Sequence, residues 1–514
     1  MHGFNILMKV MSKYLEALLP CLLAVAIFLF WFFGYPEWLS YHEEMQLFRW
    51  SWDYFISDIA ISGGFADYVS EFIVQFYYLK WLGALLLALL FMLIQRLTWL
   101  LMRDFKVCTA VSAIVSLLVP VILTLLMGDI NVMLSFPVAI AIAFLSAYLM
   151  NRISLACSYY VWADIVLLPL VFWLAGGGAS WIYVAVRFVF ELIRRRLYLY
   201  VIAPIYLLAV QSVAKNTLME QWPQKSVYLG VHYYFIPSHY VGSSIGFDSN
   251  LSELLTLDQF VREERWAEII EMAEHHPRHD AFSCNCLNLA LSQERLLAVR
   301  MFEFPQCGEE ALLMKRVRDN MSNMPSMEVF WRLGMVNSCL RYASDLQESI
   351  LSTKKSSRLT KRIAECHLIN GNYKVARKNL ALLKQTLFYK SWAIELEKLM
   401  EDEARIDSHP VYGKLRRYRF KTDLIFWYPE KEKILGQLFL GCTDNKMALD
   451  YFLAELLIKG DAKTFMGCIG WAEKLGGYSS MPRGYMDAVR CIQTNGNLTG
   501  SPYREYLMKL NRKQ

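Results

Sequence analysis

Charge is scarce in this chain. Of its 514 residues only 19% are Asp, Glu, Lys or Arg, below the roughly one quarter of an ordinary soluble domain. A disordered chain needs the opposite balance, with many charges and few apolar groups, so a content of 55% hydrophobic residues excludes disorder. The 26 glycines are too few for a collagen repeat, and 11 cysteines in so long a chain do not make a small disulfide-stapled scaffold. The P-loop, the dinucleotide fingerprint, the nucleophile elbow and the His-Glu-x-x-His zinc motif are all missing. Placement is therefore easier to read than activity.

The charges that are present are unevenly spread. Residues 1–214 hold 12 Lys+Arg and 12 Asp+Glu, so subtraction from totals of 53 and 47 leaves 41 and 35 for residues 215–514. The net charge of +6 belongs wholly to that second part. A bilayer core takes about 20 apolar residues as a helix. Stretches near 15–33, 79–101, 108–127, 130–150 and 159–176 qualify, and a further pair follows at 179–193 and 197–213. The fold class expected is all-α. It comprises a polytopic membrane domain of six or seven spans over 1–214, a linker at 215–256, a helical-repeat domain at 257–408 and a second helical sub-domain at 409–514. The first span follows Lys9 and Lys13, as a signal peptide would, but runs into Phe32, Phe33, Gly34 and Tyr35 without a cleavage site. It reads as an uncleaved anchor.

Basic residues set the orientation. Lys9 and Lys13, Arg103 and Lys106, Arg152, and Arg194 to Arg196 fall in alternate loops, while the loops between them are acidic or neutral. This pattern puts the amino terminus in the cytoplasm of a bacterial inner membrane and, with seven spans, the tail in the periplasm. The joint at Ile193–Leu197 lacks turn residues, and six spans would leave the tail cytoplasmic. Residues 35–80 are too polar to span and rich in aromatics (Trp38, Tyr41, Phe48, Trp50, Trp52, Tyr54, Phe55), which suits helices lying along the interface. That loop carries Glu43, Glu44, Asp53, Asp58, Asp67 and Glu71. Within the apolar part stand Asp164, Arg187 and Glu191, costly at membrane depth and so of functional interest. Arg187 and Glu191 are four apart on one helical face and suited to pair.

The tail has the periodicity of short amphipathic helices in antiparallel pairs. Around Asn370-Gly371-Asn372 an apolar helix stops, and Tyr373 with Ala376 restarts the next, which resembles the tetratricopeptide repeat. Residues 260–277, with Arg265-Trp266 at the turn, form a looser copy, and 285–302, 329–350 and 448–475 read as degenerate helical partners. Such stacks offer a surface for a protein partner. The basic run Lys414, Arg416, Arg417, Arg419 and Lys421 reads first as a solvated helix face, and nucleic acid is not expected as a partner. Eight of the cysteines are scattered through the tail as small buried apolar residues. His275, His276 and His279 lie near Cys284 and Cys286, but without the spacing a zinc site needs, so no metal is assigned.

Phe30-Trp-Phe-Phe-Gly-Tyr-Pro-Glu-Trp-Leu-Ser-Tyr-His-Glu-Glu-Met-Gln-Leu-Phe48 and Leu368-Ile-Asn-Gly-Asn-Tyr-Lys-Val-Ala376 resemble an uncharacterised family of Bacteroidota membrane proteins, which implies an architecture and no activity. A more distant resemblance is to the GT-C glycosyltransferases, whose first outer loop bears an acidic pair just after span one. That resemblance implies Glu43, Glu44 and Asp67 as catalytic acids, with one acting as base or holding a divalent metal. It also implies Arg187, Glu191 and Asp164 as contacts for a lipid-linked sugar, although His42 stands where many members have the first Asp. Two readings thus stay open. One is a membrane-anchored helical scaffold binding cell-envelope proteins; the other is a transferase using a lipid-linked sugar.

Overall fold

The structure is a computed structural model that describes residues 18–156, 160–195, 202–229, 246–317, 321–350, 354–421, 426–475, 478–494, 496 and 498–511. Every regular element among them is helical. The chain divides into two compact units. One comprises 1–252 with 385–388, the other 253–384 with 389–514.

The first unit opens with α1 (Leu18–Gly34), which meets α2 (Pro36–Glu44) at a bend of 79°. Pro36 explains the break, because it has no N–H to continue α1 yet suits the first turn of a new helix. Ser51 caps α3 (Trp52–Ile59) by accepting a hydrogen bond from the Tyr54 amide at 3.3 Å. Between α3 and α4 (Gly64–Val74), Gly63 adopts a left-handed φ of 87° and its amide donates to the Trp173 carbonyl at 2.9 Å. A Cβ on Gly64 would sit 1.6 Å from the Asp58 carbonyl oxygen. Gly63-Gly64 is therefore a packed turn. Of the aromatics in 35–80, Trp38, Tyr41, Phe48 and Tyr54 are buried, while Trp50 and Trp52 are exposed.

Helices α5 (Lys80–Asp104), α6 (Thr109–Leu126) and α7 (Ser135–Ala156) are long and apolar enough to cross a membrane, and the bent pair α1–α2 makes a fourth if counted as one span. α8 (Tyr160–Ala175) is apolar but shorter, and α9 (Gly177–Ile193), α10 (Ile202–Thr217) and α11 (Gln224–Leu229) follow. The sequence reading had a span begin at 130; instead, residues 128–132 form a turn in which the Val132 amide donates to the Asp129 carbonyl. The hairpin expected at 193–197 runs into residues 196–201, outside the described residues. Gln95 on α5 donates to Ser116 on α6 at 3.0 Å. Ala139, Ala143 and Ala147, one turn apart, are all buried on α7, the helix that packs against α5, α8 and α9. Small residues at that spacing let helix backbones approach where burial of apolar surface from water cannot drive association. Leu85, Leu89 and Leu93 form an exposed apolar stripe on α5, as do Ile114, Leu118 and Ile122 on α6.

The second unit is built from short helices in pairs. α12 (Ser249–Arg262) turns through 263–265 into α13 (Trp266–His275), and α18 (Ser357–Ile369) turns at Asn370–Asn372 into α19 (Tyr373–Leu383), as the sequence pattern suggested. Three segments expected as single helices are each broken in two. Residues 285–302 contain the end of α14 (Ala281–Gln293) and α15 (Leu297–Arg300); residues 329–350 split at Gly334 into α16 (Met324–Leu333) and α17 (Val336–Ser349). After α20 (Lys390–Leu399), α21 (Glu403–Ser408), α22 (Tyr412–Tyr418) and α23 (Lys431–Gly441), residues 448–475 split at Gly460 into α24 (Lys446–Lys459) and α25 (Ala462–Lys474). Gly334 and Gly460 have φ of 81° and 71°, the left-handed cap that ends a helix and that only glycine takes at no cost.

Buried ion pairs tie these helices together. Arg358 on α18 reaches Asp258 on α12 at 2.6 Å and Glu328 on α16 at 3.3 Å, while Arg362 reaches Glu328 at 2.8 Å and Glu365 at 3.0 Å. The Tyr412 hydroxyl of α22 (Tyr412–Tyr418) donates to Glu365 at 3.1 Å. Burial alone would raise the Glu328 carboxyl, but Arg362, Arg358 and Arg332 outweigh it and hold the group at about 2.

Candidate functional site

Three of the residues singled out in the sequence converge. Arg187 on α9 is wholly buried and its Nη2 lies 2.8 Å from Asp164 on α8 and 3.0 Å from Glu191 one turn along α9. Its Nη1 donates to Asn151 on α7 at 2.6 Å. Tyr183 donates to Asp164 at 2.5 Å and Tyr160 to Glu191 at 3.4 Å. Both terminal nitrogens of the guanidinium are thus engaged by protein oxygens, and the fork that would grip a phosphate already grips three helices. Asn151 carried no sequence signal, because a neutral amide in an apolar helix stands out far less than a charge.

The acids of 35–80 are also buried. Glu43 and Glu44 close α2, Asp67 lies in the first turn of α4, and Glu37, Asp58 and Glu71 are buried beside them in sequence. The Tyr54 hydroxyl donates to Glu71. Among the described residues no group of three or more His, Cys, Asp or Glu is arranged to hold a metal ion. His275, His276 and His279 are exposed, whereas Cys284 and Cys286 are buried inside α14.

Two cavities of the second unit share a wall. One of about 760 Å³ is lined by Gly334 to Ser338, by Asn370 and Asn372, and by Arg416, Arg417, Arg419, Phe420 and Lys421. The other, about 590 Å³, shares Asn337 and Ser338 and adds Lys315, Arg316, Arg341, Tyr342, Phe426, Trp427 and Tyr428. Seven of these lining residues are cationic and none is acidic. The basic run divides: Lys414, Arg417 and Lys421 are exposed, as a solvated face would have them, whereas Arg416 and Arg419 are half-buried. Arg419 donates to the Ile369 carbonyl at 2.8 Å and Arg416 to the Leu368 carbonyl at 3.4 Å, so both cap the C-terminal end of α18, where the helix dipole favours a cation. Arg416 is further held by Glu403 at 2.6 Å, Asp407 at 2.9 Å and the Tyr373 hydroxyl at 2.6 Å. Arg417 and Lys421 are exposed. They make no ion pair among the described residues, and the same holds for Arg341 across the shared wall.

Local chemistry places these groups. The missing Cβ of Gly334 makes room for residues 418–419, since a Cβ there would lie 2.5 Å from Tyr418 Cβ and 3.4 Å from the Arg419 amide nitrogen. Asn370 donates to Asn337 at 2.8 Å and joins the α16–α17 turn to the α18–α19 turn. The far wall is aromatic: Phe426 packs edge-on against Phe330, and Trp427 is largely exposed.

Residues 11–509 match the model of a family of unknown function, DUF6057. No curated protein and no solved structure matches the chain.

Proposed function

We propose, for a chain that belongs to this family and inherits no activity from it, a membrane-anchored helical scaffold whose tail holds a partner protein in the paired cavities. The observation that carries this reading is the shared wall at Asn337 and Ser338, which joins a polar cavity lined by four cations to one lined by three cations and four aromatic rings. Paired helices with a lined concavity are a common platform for protein recognition. The apolar faces of α5 and α6 suit lipid, and the alternation of basic and acidic loops supports a multi-pass protein of the bacterial inner membrane with its amino terminus in the cytoplasm. Seven crossings would place the tail in the periplasm.

The transferase reading draws on the position of Glu43-Glu44 after the first apolar helix. It receives less support, because those carboxylates are buried and Arg187 is committed to Asp164, Glu191 and Asn151. Complementation of a deletion strain separates the two. Glu43→Gln with Glu44→Gln should restore the wild-type phenotype at normal protein level, whereas Arg417→Glu with Lys421→Glu should not. Loss of function in the carboxylate variant, with the charge-reversed tail fully active, would reverse the assignment.

A further inference from the structure

We infer that the paired cavities recognise an extended acidic peptide segment carrying an aromatic or large aliphatic side chain next to its carboxylates. The inference deepens the scaffold reading and rests on it. Charge complementarity identifies the occupant. A wall with seven cations and no acid attracts an anion, and the cations are of two kinds. Arg416 and Arg419 are spent on the end of α18, and Arg316 on Asp345 at 3.0 Å. Arg341, Arg417 and Lys421 keep their donors for a ligand, and Lys315 is held only loosely by Glu310 at 3.7 Å. These groups are spread over two cavities, so they match several carboxylates along a chain better than one compact dianion.

The second half of the argument is apolar. Beyond Asn337 and Ser338 the lining changes to Tyr342, Phe426, Trp427 and Tyr428. A large, exposed indole beside free cations offers an anchor for one ring or aliphatic side chain, the type of contact that dominates peptide recognition. Ser338 lines both cavities and Asn372 lines the first, and a hydroxyl and an amide carry both donors and acceptors. An extended peptide backbone needs that mixture, whereas a polysulfated or polyphosphate chain needs donors alone. A bare anionic surface binder would have no use for the aromatic wall.

The test uses the full chain in detergent micelles and a fluorescein-labelled eight-residue peptide alternating Glu with Phe or Leu. Saturable binding is expected, weakened by added salt because the free cations are exposed. A peptide with Lys in place of Glu should not bind. Arg417→Glu with Lys421→Glu should weaken binding at least tenfold, and Trp427→Ala should weaken it severalfold, both with unchanged thermal unfolding. Equal competition by dextran sulfate or by vesicles of anionic phospholipid would overturn the proposal in favour of an unselective anionic surface. Unchanged affinity in the charge-reversed protein would overturn it as well. Photo-crosslinking from position 427, where Trp427 is exposed, in cells keeps the two levels distinct. A specific adduct, lost with function in the charge-reversed variant but without acidic-peptide binding, leaves the scaffold reading standing and removes this one. No adduct and no peptide binding removes both.

Discussion

A methyl group on Gly334 would meet Tyr418 Cβ at 2.5 Å, and would do so from a φ of 81° that an L side chain rarely adopts. The backbone term costs about 1 kcal/mol and the overlap adds to it, so Gly334→Ala should destabilise the protein by about 2 kcal/mol or more. Thermal unfolding should show a lower transition, and peptide binding should fall with it, because Arg419, next to the displaced Tyr418, lines the basic cavity. Arg187 makes a larger prediction. Removing one member of a buried ion network leaves the others uncompensated, at about 3–5 kcal/mol. Arg187→Met should therefore lower thermal stability in detergent sharply. Asp164→Asn should cost less, since Glu191 remains 3.0 Å from the guanidinium. At this scale the sequence was informative about charges and silent about their neutral partners. Arg187 and Glu191 were legible from their spacing of four, whereas Asn151 and the capping roles of Arg416 and Arg419 depend on which helix ends meet in space.

Helix ends explain most of what the pattern missed among the elements. The turn at Asn370-Gly371-Asn372 announces itself with three breakers in a row, but Gly334 and Gly460 are single glycines between helix formers and read as tolerated interruptions. The break at Glu294–Leu296 has no glycine at all; Arg295 takes a left-handed φ of 59° there. Within α24 the buried charges give two predictions. Lys431 Nζ at the start of α23 (Lys431–Gly441) lies 3.1 Å from Glu455, both side chains fully buried, and also donates to the Glu309 carbonyl. Replacing such a pair with apolar groups is often neutral or better, while breaking it is costly. Glu455→Leu alone should cost about 3–5 kcal/mol, and Lys431→Met with Glu455→Leu should recover most of that loss in a double-mutant cycle read by denaturant unfolding. The second concerns pH. Burial pushes Glu455 up to about 7 against the pull of Lys431, and Asp450 up to about 6 despite the Tyr478 hydroxyl. A raised carboxyl favours the folded state when protonated, so this contribution is full below about pH 4 and is lost as pH rises through 6 and 7. Glu328, held at about 2, works the other way and loses its contribution as pH falls from 4.5 towards 2. Thermal stability should therefore peak at about pH 4 to 4.5 and decline from there towards pH 7, and Asp450→Asn with Glu455→Gln should flatten that decline.

For the whole molecule, composition already separated an apolar part from a charged one, because the net charge of +6 lies entirely beyond residue 214. The number of crossings was harder to read, since hydropathy marks an apolar segment without its length or tilt. α5, α6 and α7 have the length, α8 has apolarity in a shorter helix, and α9 buries Arg187 and Glu191 on one side while exposing Phe188, Val189, Leu192 and Ile193 on the other. That surface suits lipid outside and a polar network inside, so α9 is expected to cross with α8, which would return the chain at Arg194-Arg195 to the side of the other basic loops. One more crossing, by α10, would carry the tail to the opposite side, as the seven-span reading requires. Thiol labelling reads this directly, because Cys442 and Cys468 are half-exposed while Cys284, Cys286, Cys339, Cys366 and Cys491 are buried. In spheroplasts a membrane-impermeant maleimide should label a variant retaining Cys442 alone, and should leave one retaining Cys366 alone unlabelled until it is denatured. Labelling at Cys442 only after lysis would mean that α10 returns without crossing. The basic and aromatic cavities would then face the cytoplasm, where the acidic segment they recognise would have to be found.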